Sequence, residues 1–331
     1  MKALIKKLVE AVGPSGFESA VRNLVRAEVE SLGDEIRVDA MGNLIVRKGS
    51  KSADGMRIML AAHIDEIGIM VTHVDEKGFA RFTTIGGVRT LTCVGGRVRF
   101  ANGAQGVIGS ERLEDATRVP SLEHLYIETG ATSREDCPVK VGDVAAFERP
   151  FLDLGRRLVA KSMDDRIAAV VLVETLRQLK SSPHELYFVF STQEEVGTRG
   201  AATAAYALDP ELGISVDVTL VGDTPKGVKM EVSLGKGPAV KVRDSGMIAD
   251  PRLVRVMVQC AEKANLPYQL EVLEGGSTDA RAMQITRAGM PAGCVSIPCR
   301  YVHSPSEMVD LQDVENAVRL LVALLSQPVI L

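Results

Sequence analysis

Arg57-Ile58-Met59-Leu60-Ala61-Ala62-His63-Ile64-Asp65-Glu66 sets an apolar run directly against a histidine and two acids. A short continuous run of this kind reads as a strand buried on both faces, and such strands belong to parallel sheets covered by helices. Outward from it the pattern recurs. The run at 186–191 ends in Thr192-Gln193-Glu194-Glu195, Gly213-Ile214-Ser215-Val216 ends in Asp217, and the run at 293–297 is followed after a short loop by His303. Asp164-Asp165 opens a helix predicted over 165–179. In an open α/β sheet, ligands bind in the crevice beyond the carboxyl ends of the strands. His, Glu-Glu, Asp and His delivered to those ends therefore mark one candidate site.

Periodicity fills in the rest. Residues 5–12 and 17–32 repeat apolar positions at helical spacing, and between them Ser15 and Glu18 have the spacing of a capping box for the second helix. Short strands are expected at 35–39 and 43–47. From about 68 to 159 valines and isoleucines alternate with polar residues between glycine turns such as Gly86-Gly87 and Gly95-Gly96, which predicts a small β-barrel or sandwich. After Lys161 the α/β rhythm returns, with helices expected at 198–207, 251–264, 279–287 and 311–325 and strands at 214–216, 268–273 and 294–297. The expected fold is α/β: a mainly parallel mixed sheet with helices on both faces, formed by residues 1–67 and 160–331, interrupted by a β-rich insertion over 68–159.

Composition narrows the function. The chain has 331 residues, is 46% hydrophobic and carries a formal net charge of −4, which is ordinary globular composition without the basic stripe of a nucleic-acid binder. No apolar run approaches the roughly 20 residues of a membrane span, and the lysines in Met1-Lys2-Ala3-Leu4-Ile5-Lys6-Lys7-Leu8 suit an amphipathic helix, not a signal peptide. The five cysteines are scattered and odd in number, as in a reducing cytoplasm. Tryptophan is absent.

Two imidazoles with several carboxylates make a mixed nitrogen and oxygen donor set suited to zinc, cobalt or manganese. One carboxylate shared between two ions would hold them about 3.5–4 Å apart, as hydrolytic two-metal sites do, and a free carboxylate beside them can act as general base. Each residue alone has a plainer reading. A single strand histidine is usually structural, Asp164-Asp165 could be a helix cap, and Asp217 could cap a turn. His73, His124 and His184 have turn or surface contexts and are read as structural.

Ala62-His63-Ile64-Asp65-Glu66-Ile67-Gly68, Lys161-Ser162-Met163-Asp164-Asp165-Arg166, Gln193-Glu194-Glu195-Val196-Gly197-Thr198-Arg199-Gly200, Val216-Asp217-Val218-Thr219 and Tyr301-Val302-His303-Ser304 together resemble the TET-type dinuclear metallo-aminopeptidases, which include glutamyl aminopeptidases and proteins once labelled endoglucanase M. Pro14-Ser15-Gly16-Phe17-Glu18 and Gly275-Gly276-Ser277-Thr278-Asp279-Ala280 match further signatures of that family. The resemblance implies that His63, Asp164 and Asp217 hold one divalent ion and Asp164, Glu195 and His303 the other. It makes Glu194 the base that takes a proton from the bridging water, and Asp65 the acceptor of the other ring N–H of His63. It also implies a cis peptide between Asp164 and Asp165, a dimerisation role for the inserted barrel, and dimers that associate into dodecamers.

The function expected is a cytoplasmic, metal-dependent removal of N-terminal residues from short peptides, with two zinc, cobalt or manganese ions per subunit and no nucleic-acid or membrane partner. A deacylase or dipeptidase on the same scaffold is the alternative enzyme, and a metal-free assembly module the non-enzymatic one. A glycosidase would need two carboxyls across a sugar and no metal, and the lack of tryptophan for ring stacking argues against it. Arg89 and Arg281 are candidate partners for an acidic substrate side chain, although a surface or ion-paired arginine is the plainer reading of each. Substrate-binding residues are otherwise unknown from the sequence.

Overall fold

The quoted run becomes strand β3 (Arg57–His63), whose last residue is the histidine. The structure is a computed structural model that describes residues 1–115 and 117–331. Around β3 the chain builds one large sheet from β1 (Glu35–Val38), β2 (Leu44–Lys48), β10 (Leu152–Leu154), β11 (Arg157–Ala160), β12 (Glu185–Ser191), β13 (Leu212–Thr219), β14 (Ala239–Arg243), β15 (Gln269–Val272), β16 (Ala292–Arg300) and β17 (Glu307–Asp310). Their order is β1-β2-β12-β3-β13-β16-β17-β11-β10, with β14 pairing β16 and β15. The four central strands β12, β3, β13 and β16 are mutually parallel, so their carboxyl ends share one edge. Register sets Ser191 beside His63 and Asp217 beside Ser296.

Helices α1 (Lys2–Val9), α2 (Ser19–Val29), α3 (Met163–Gln178), α5 (Pro251–Lys263) and α7 (Leu311–Leu325) pack with one sheet face, while α4 (Arg199–Leu208) and α6 (Asp279–Gln284) cover the other. The sheet is therefore mixed and mainly parallel at its centre, with helices on both faces, as its apolar runs predict. Helix α3 is apolar nearly all round because it lies between the sheet and α1, α2 and α7. The glycine-punctuated stretch forms a separate closed barrel in the order β4-β5-β8-β7-β6-β9, made by β4 (Gly68–Val74), β5 (Ala80–Ile85), β6 (Arg97–Phe100), β7 (Gln105–Ser110), β8 (Leu125–Glu128) and β9 (Val144–Phe147). It has its own apolar core, centred on residues such as Phe82, Val98, Ile108 and Ile127.

Several local expectations change. The barrel closes at Phe147, and β10 and β11, which lie within the expected insertion, pair with β17 in the large sheet instead. Their alternating pattern is the same in either setting, so only long-range pairing assigns them. Ser15 and Glu18 do not form a capping box. Helix α2 starts at Ser19, the Ser15 hydroxyl donates to Asp65 at 2.6 Å, and the Glu18 carboxylate accepts the N–H groups of Gly16 and Gln193. Both side chains serve contacts distant in sequence. Strand β13 runs past Asp217 to Thr219, so that acid sits within the strand's last turn of pleat, not after it.

A buried ionic knot ties the first helix to the sheet edge. Glu66 accepts from Lys161 at 2.9 and 2.7 Å and from Arg166 at 3.4 Å, and Arg166 also donates to the carbonyl of Leu8 at the end of α1. Burial pulls the Lys161 ammonium down to about 8 despite its carboxylate partner. Removing one member of such a pair leaves an uncompensated charge in the interior, a cost of about 3–5 kcal/mol.

His184 is structural, as expected, but buried and not at the surface. Its Nδ1 accepts the Met56 N–H at 3.0 Å and its Nε2 faces the Gln327 carbonyl at 2.9 Å, which requires the neutral ring with the proton on Nε2. Burial lowers its pKa from the ordinary value, against the opposing pull of the Gln327 carbonyl. The unfolded chain therefore takes up a proton that the folded chain resists. This stabilisation is fully present above about pH 6.5 and is lost as pH falls through that value towards the folded pKa. Replacing His184 by Asn should cost about 1–2 kcal/mol at neutral pH, and the gap to the unaltered protein should narrow on acidification. Urea unfolding at about pH 7.5 and about pH 5.5 measures it; a gap independent of pH would contradict the neutral-ring assignment.

Candidate active site

The carboxyl ends of the parallel strands open into a cavity of about 480 Å³, whose wall includes His63, Asp164, Glu194, Glu195, Asp217 and His303. These are the residues that the sequence pattern singles out, and the fold brings all six to one place. Asp164 lies between the two imidazoles. Its Oδ1 is 3.1 Å from His63 Nε2 and its Oδ2 is 3.2 Å from His303 Nε2, while Glu195 Oε2 is also 3.2 Å from His303 Nε2. Glu194 Oε2 is 3.9 Å from His63 Nε2. Ligand atoms of His63, Asp164 and Glu195 lie within 4.8 Å of one another, as do those of His63, Asp165 and Asp217.

Asp65 organises this edge. Its Oδ1 accepts the Glu194 N–H at 3.0 Å and its Oδ2 the Glu195 N–H at 3.1 Å, which fixes the turn after β12. The expected contact to the His63 ring is shared: Nδ1 is 3.2 Å from the Asp65 backbone carbonyl and 3.4 Å from its carboxylate. Either acceptor holds the proton on Nδ1 and leaves Nε2 facing Asp164. The peptide bond between Asp164 and Asp165 is cis.

Electrostatically the pocket is short of positive charge. Burial and neighbouring acids push the carboxyls of Glu194, Asp217 and Asp165 well above the ordinary range and raise Glu195 as well, and Asp279 is pushed up to about 6. Burial alone would lower the imidazoles, but hydrogen bonds to Asp164 and Asp65 hold His63 well above its ordinary value, and those to Asp164 and Glu195 carry His303 to about 11. Asp164 goes the other way: burial would raise it, yet its two imidazole partners hold it low. The acids gathered here outnumber the two imidazoles. Both oxygens of Asp165, Oε1 of Glu195 and Oδ1 of Asp279 are buried without a hydrogen-bond partner among the described residues. Unspent oxygen donors beside two imidazoles fit divalent zinc, cobalt or manganese and not a soft-metal site.

The sequence reading missed three contributors. Asp165 joins His63 and Asp217, although the sequence pattern marks it only as part of the Asp164-Asp165 pair and gives it no ligand role. Glu307 reaches the backbone of two site residues. Gly86 and Gly87, which the pattern marks only as a turn, come from the loop after β5 and bring the barrel against the site. A Cβ on Gly86 would lie 3.0 Å from Glu195 Oε2, and one on Gly87 would collide with the His303 ring, 2.7 Å from Cε1. Two adjacent glycines ahead of Val88-Arg89 were the available signal. Arg89 and Arg281 both line the cavity.

A cleft of imidazoles and carboxylates lies at the ends of parallel strands, walled on one side by an inserted barrel, and its donors are of the kind that could hold a divalent metal. The profile of the M42 glutamyl aminopeptidase family matches residues 42–320. A protein of Acetivibrio thermocellus is 46% identical over 322 residues, covering 96% of each chain. An aminopeptidase from the archaeon Desulfurococcus kamchatkensis has the same structure at a TM-score of 0.94, with 40% identity over 98% of this chain and 94% of its own. The TET1 peptidase of Pyrococcus horikoshii, described as assembling into a tetrahedron or a large octahedral shell, matches at a TM-score of 0.90 with 32% identity, covering 98% of this chain and 99% of its own. The chain belongs to the M42 glutamyl aminopeptidase family.

The glycine loop yields a test. Gly87→Ala should force the His303 ring aside and lower kcat/KM on an aminoacyl reporter by about 100-fold, the usual consequence of misplacing a site group by about 1 Å. The far-ultraviolet circular dichroism should be unchanged. Undiminished activity would show that the ring does not depend on the barrel loop.

Proposed function

We propose that this protein is a metal-dependent aminopeptidase that releases N-terminal residues from short peptides. In this reading His63, Asp164 and Asp217 hold one divalent ion, Asp164, Glu195 and His303 hold a second, and zinc, cobalt or manganese all suit the donors. The observation that carries it is Asp164, whose two oxygens face different imidazoles at nearly equal distance, the disposition a shared carboxylate needs. Divalent ions held by these residues would supply Lewis acidity for the scissile carbonyl and for water.

Glu194 then acts as general base, taking a proton from the attacking water and passing it to the leaving amine. Its burial and acidic neighbours raise its proton affinity, and Asp65 holds it in place through the backbone N–H at 3.0 Å. The His63 ring is kept in one tautomer by Asp65. A free α-amine on the substrate would meet the acidic wall of the cavity favourably, which supports removal from the N-terminus over internal cleavage. Family membership and the relatives described as aminopeptidases support the same reaction class.

The barrel is read as the dimerisation domain of a homo-oligomer, in line with the shells that the Pyrococcus horikoshii peptidase is described as forming. Dimers assembling into dodecamers, working in the cytoplasm, complete the proposal. No helix among the described residues is long and apolar enough to cross a membrane.

The test is metal content and rate together. Protein stripped with chelator should lose activity and regain it with divalent ions, and the reconstituted chain should bind two equivalents. Glu194→Gln should lower kcat about a thousandfold, inside the span expected of a general base, while still binding both ions. Activity that survives stripping would refute the metal role, and a near-normal Glu194→Gln rate the base assignment. Turnover of N-acyl but not free-amine substrates would replace the aminopeptidase with a deacylase.

A further inference from the structure

From the geometry we infer that Glu307 is a positioning residue: its one carboxylate clamps the backbones of Asp164 and His303 and so sets the spacing of the two side chains that meet at the site. The inference rests on the proposed metal site and assigns a residue that lies outside the ligand set.

Glu307 opens β17 and is buried, with 2% of its surface exposed. Register puts it opposite Ala160 at the end of β11. That position places it four residues after His303 in the chain and, across the sheet, beside the segment that leads into Asp164. Its Oε1 accepts the His303 N–H at 2.8 Å and its Oε2 accepts the Asp164 N–H at 2.9 Å. The side chains of the same two residues face each other, His303 Nε2 to Asp164 Oδ2, at 3.2 Å. The clamp therefore closes a ring through both backbones, both side chains and one carboxylate.

Two features make the clamp more than a satisfied core acid. His303 adopts a left-handed backbone with φ of 60°, a conformation that a non-glycine residue keeps only when its surroundings hold it. Its amide is held by Glu307. Each oxygen of Glu307 also takes one backbone N–H, so the group is committed to positioning and acts on any ion only through Asp164 and His303. Outer groups of this kind commonly tune metal affinity by about 10–100-fold.

The substitutions follow from the carboxylate's two-sided use. Glu307→Gln keeps the shape but turns an amide NH₂ towards one of the two N–H donors. Glu307→Asp keeps the carboxyl group but is shorter by about 1.5 Å, one carbon–carbon bond, and cannot reach both. Full-length protein, stripped and titrated calorimetrically with Zn²⁺ or Mn²⁺, should bind two equivalents. In both variants the ion assigned to Asp164, Glu195 and His303, two of whose ligands the clamp holds, should weaken by about 10–100-fold, and the ion that shares only Asp164 with the clamp should weaken less. The absorption spectrum of the Co²⁺-loaded variants should shift, because Asp164 and His303 are displaced from their places in the ligand set. A ligand that binds only the folded chain stabilises it by an amount that grows with the logarithm of its concentration over Kd, so the Tm gap between variant and unaltered protein should widen when metal is added.

A Tm gap of the same size with and without metal would reduce Glu307 to a structural acid and overturn the inference. So would folded variants with unchanged affinities and cobalt spectrum, or failure of both variants to fold. Unaltered protein that takes up no metal would instead overturn the proposed function, and the clamp's purpose with it; normal uptake there beside unchanged variants overturns the clamp alone.

Discussion

Too many acids in too small a space is the constraint on which this structure depends. Asp164, Asp165, Asp217, Glu194, Glu195 and Asp279 are drawn together at one sheet edge with two imidazoles, and burial, with repulsion added to it, raises the proton affinity of most of them. Such a cluster costs stability wherever it is not neutralised, because a buried charge without a partner is expensive. Proteins keep arrangements like this where charge from outside completes them. Here the completing charge is the proposed pair of divalent ions, and the surrounding structure holds the acids close enough to receive it.

Much of that holding is done by groups that never touch the cavity's contents. Asp65 fixes the Glu194-Glu195 turn through two backbone N–H groups and is itself anchored by Ser15 from the loop between the first two helices. The next residue, Glu66, faces the opposite way and locks that loop and α1 to Lys161 and Arg166. Adjacent acids thus divide the work: one orients the site, the other fastens the N-terminal helices behind it. The barrel adds a wall from a separate fold unit, and it can approach only because Gly86 and Gly87 lack side chains. The loop after β5 thus packs directly against Glu195 and His303.

The legible parts of the sequence were those whose physics is local or repeats. The apolar runs ending in His63, Glu194-Glu195 and Asp217 read correctly as central parallel strands, because a strand buried on both faces must be apolar throughout. Helices α5 and α7 followed from their periodicity. Strands β14 and β17 escaped notice because they are short and mixed in character, and β10 and β11 could not be told from barrel strands without knowing their partners. Ser15 and Glu18 were misread for a related reason. Their spacing is that of a cap, but Asp65 and Gln193, remote in sequence, decided where their polar atoms went.

By itself the sequence determined the fold class, a β-rich insertion and the acids and histidines that gather at the strand ends, since hydrophobic pattern and strand direction suffice for those. Tertiary structure alone decided how they meet: that Asp164 turns one oxygen to each imidazole, that Asp165 joins the cluster, and that Glu307 grips two backbones from a strand the sequence did not announce. The reason is that burial is written residue by residue in side-chain polarity. A hydrogen bond to a backbone N–H leaves no mark on the residue that donates it, and so appears only when the chain has folded.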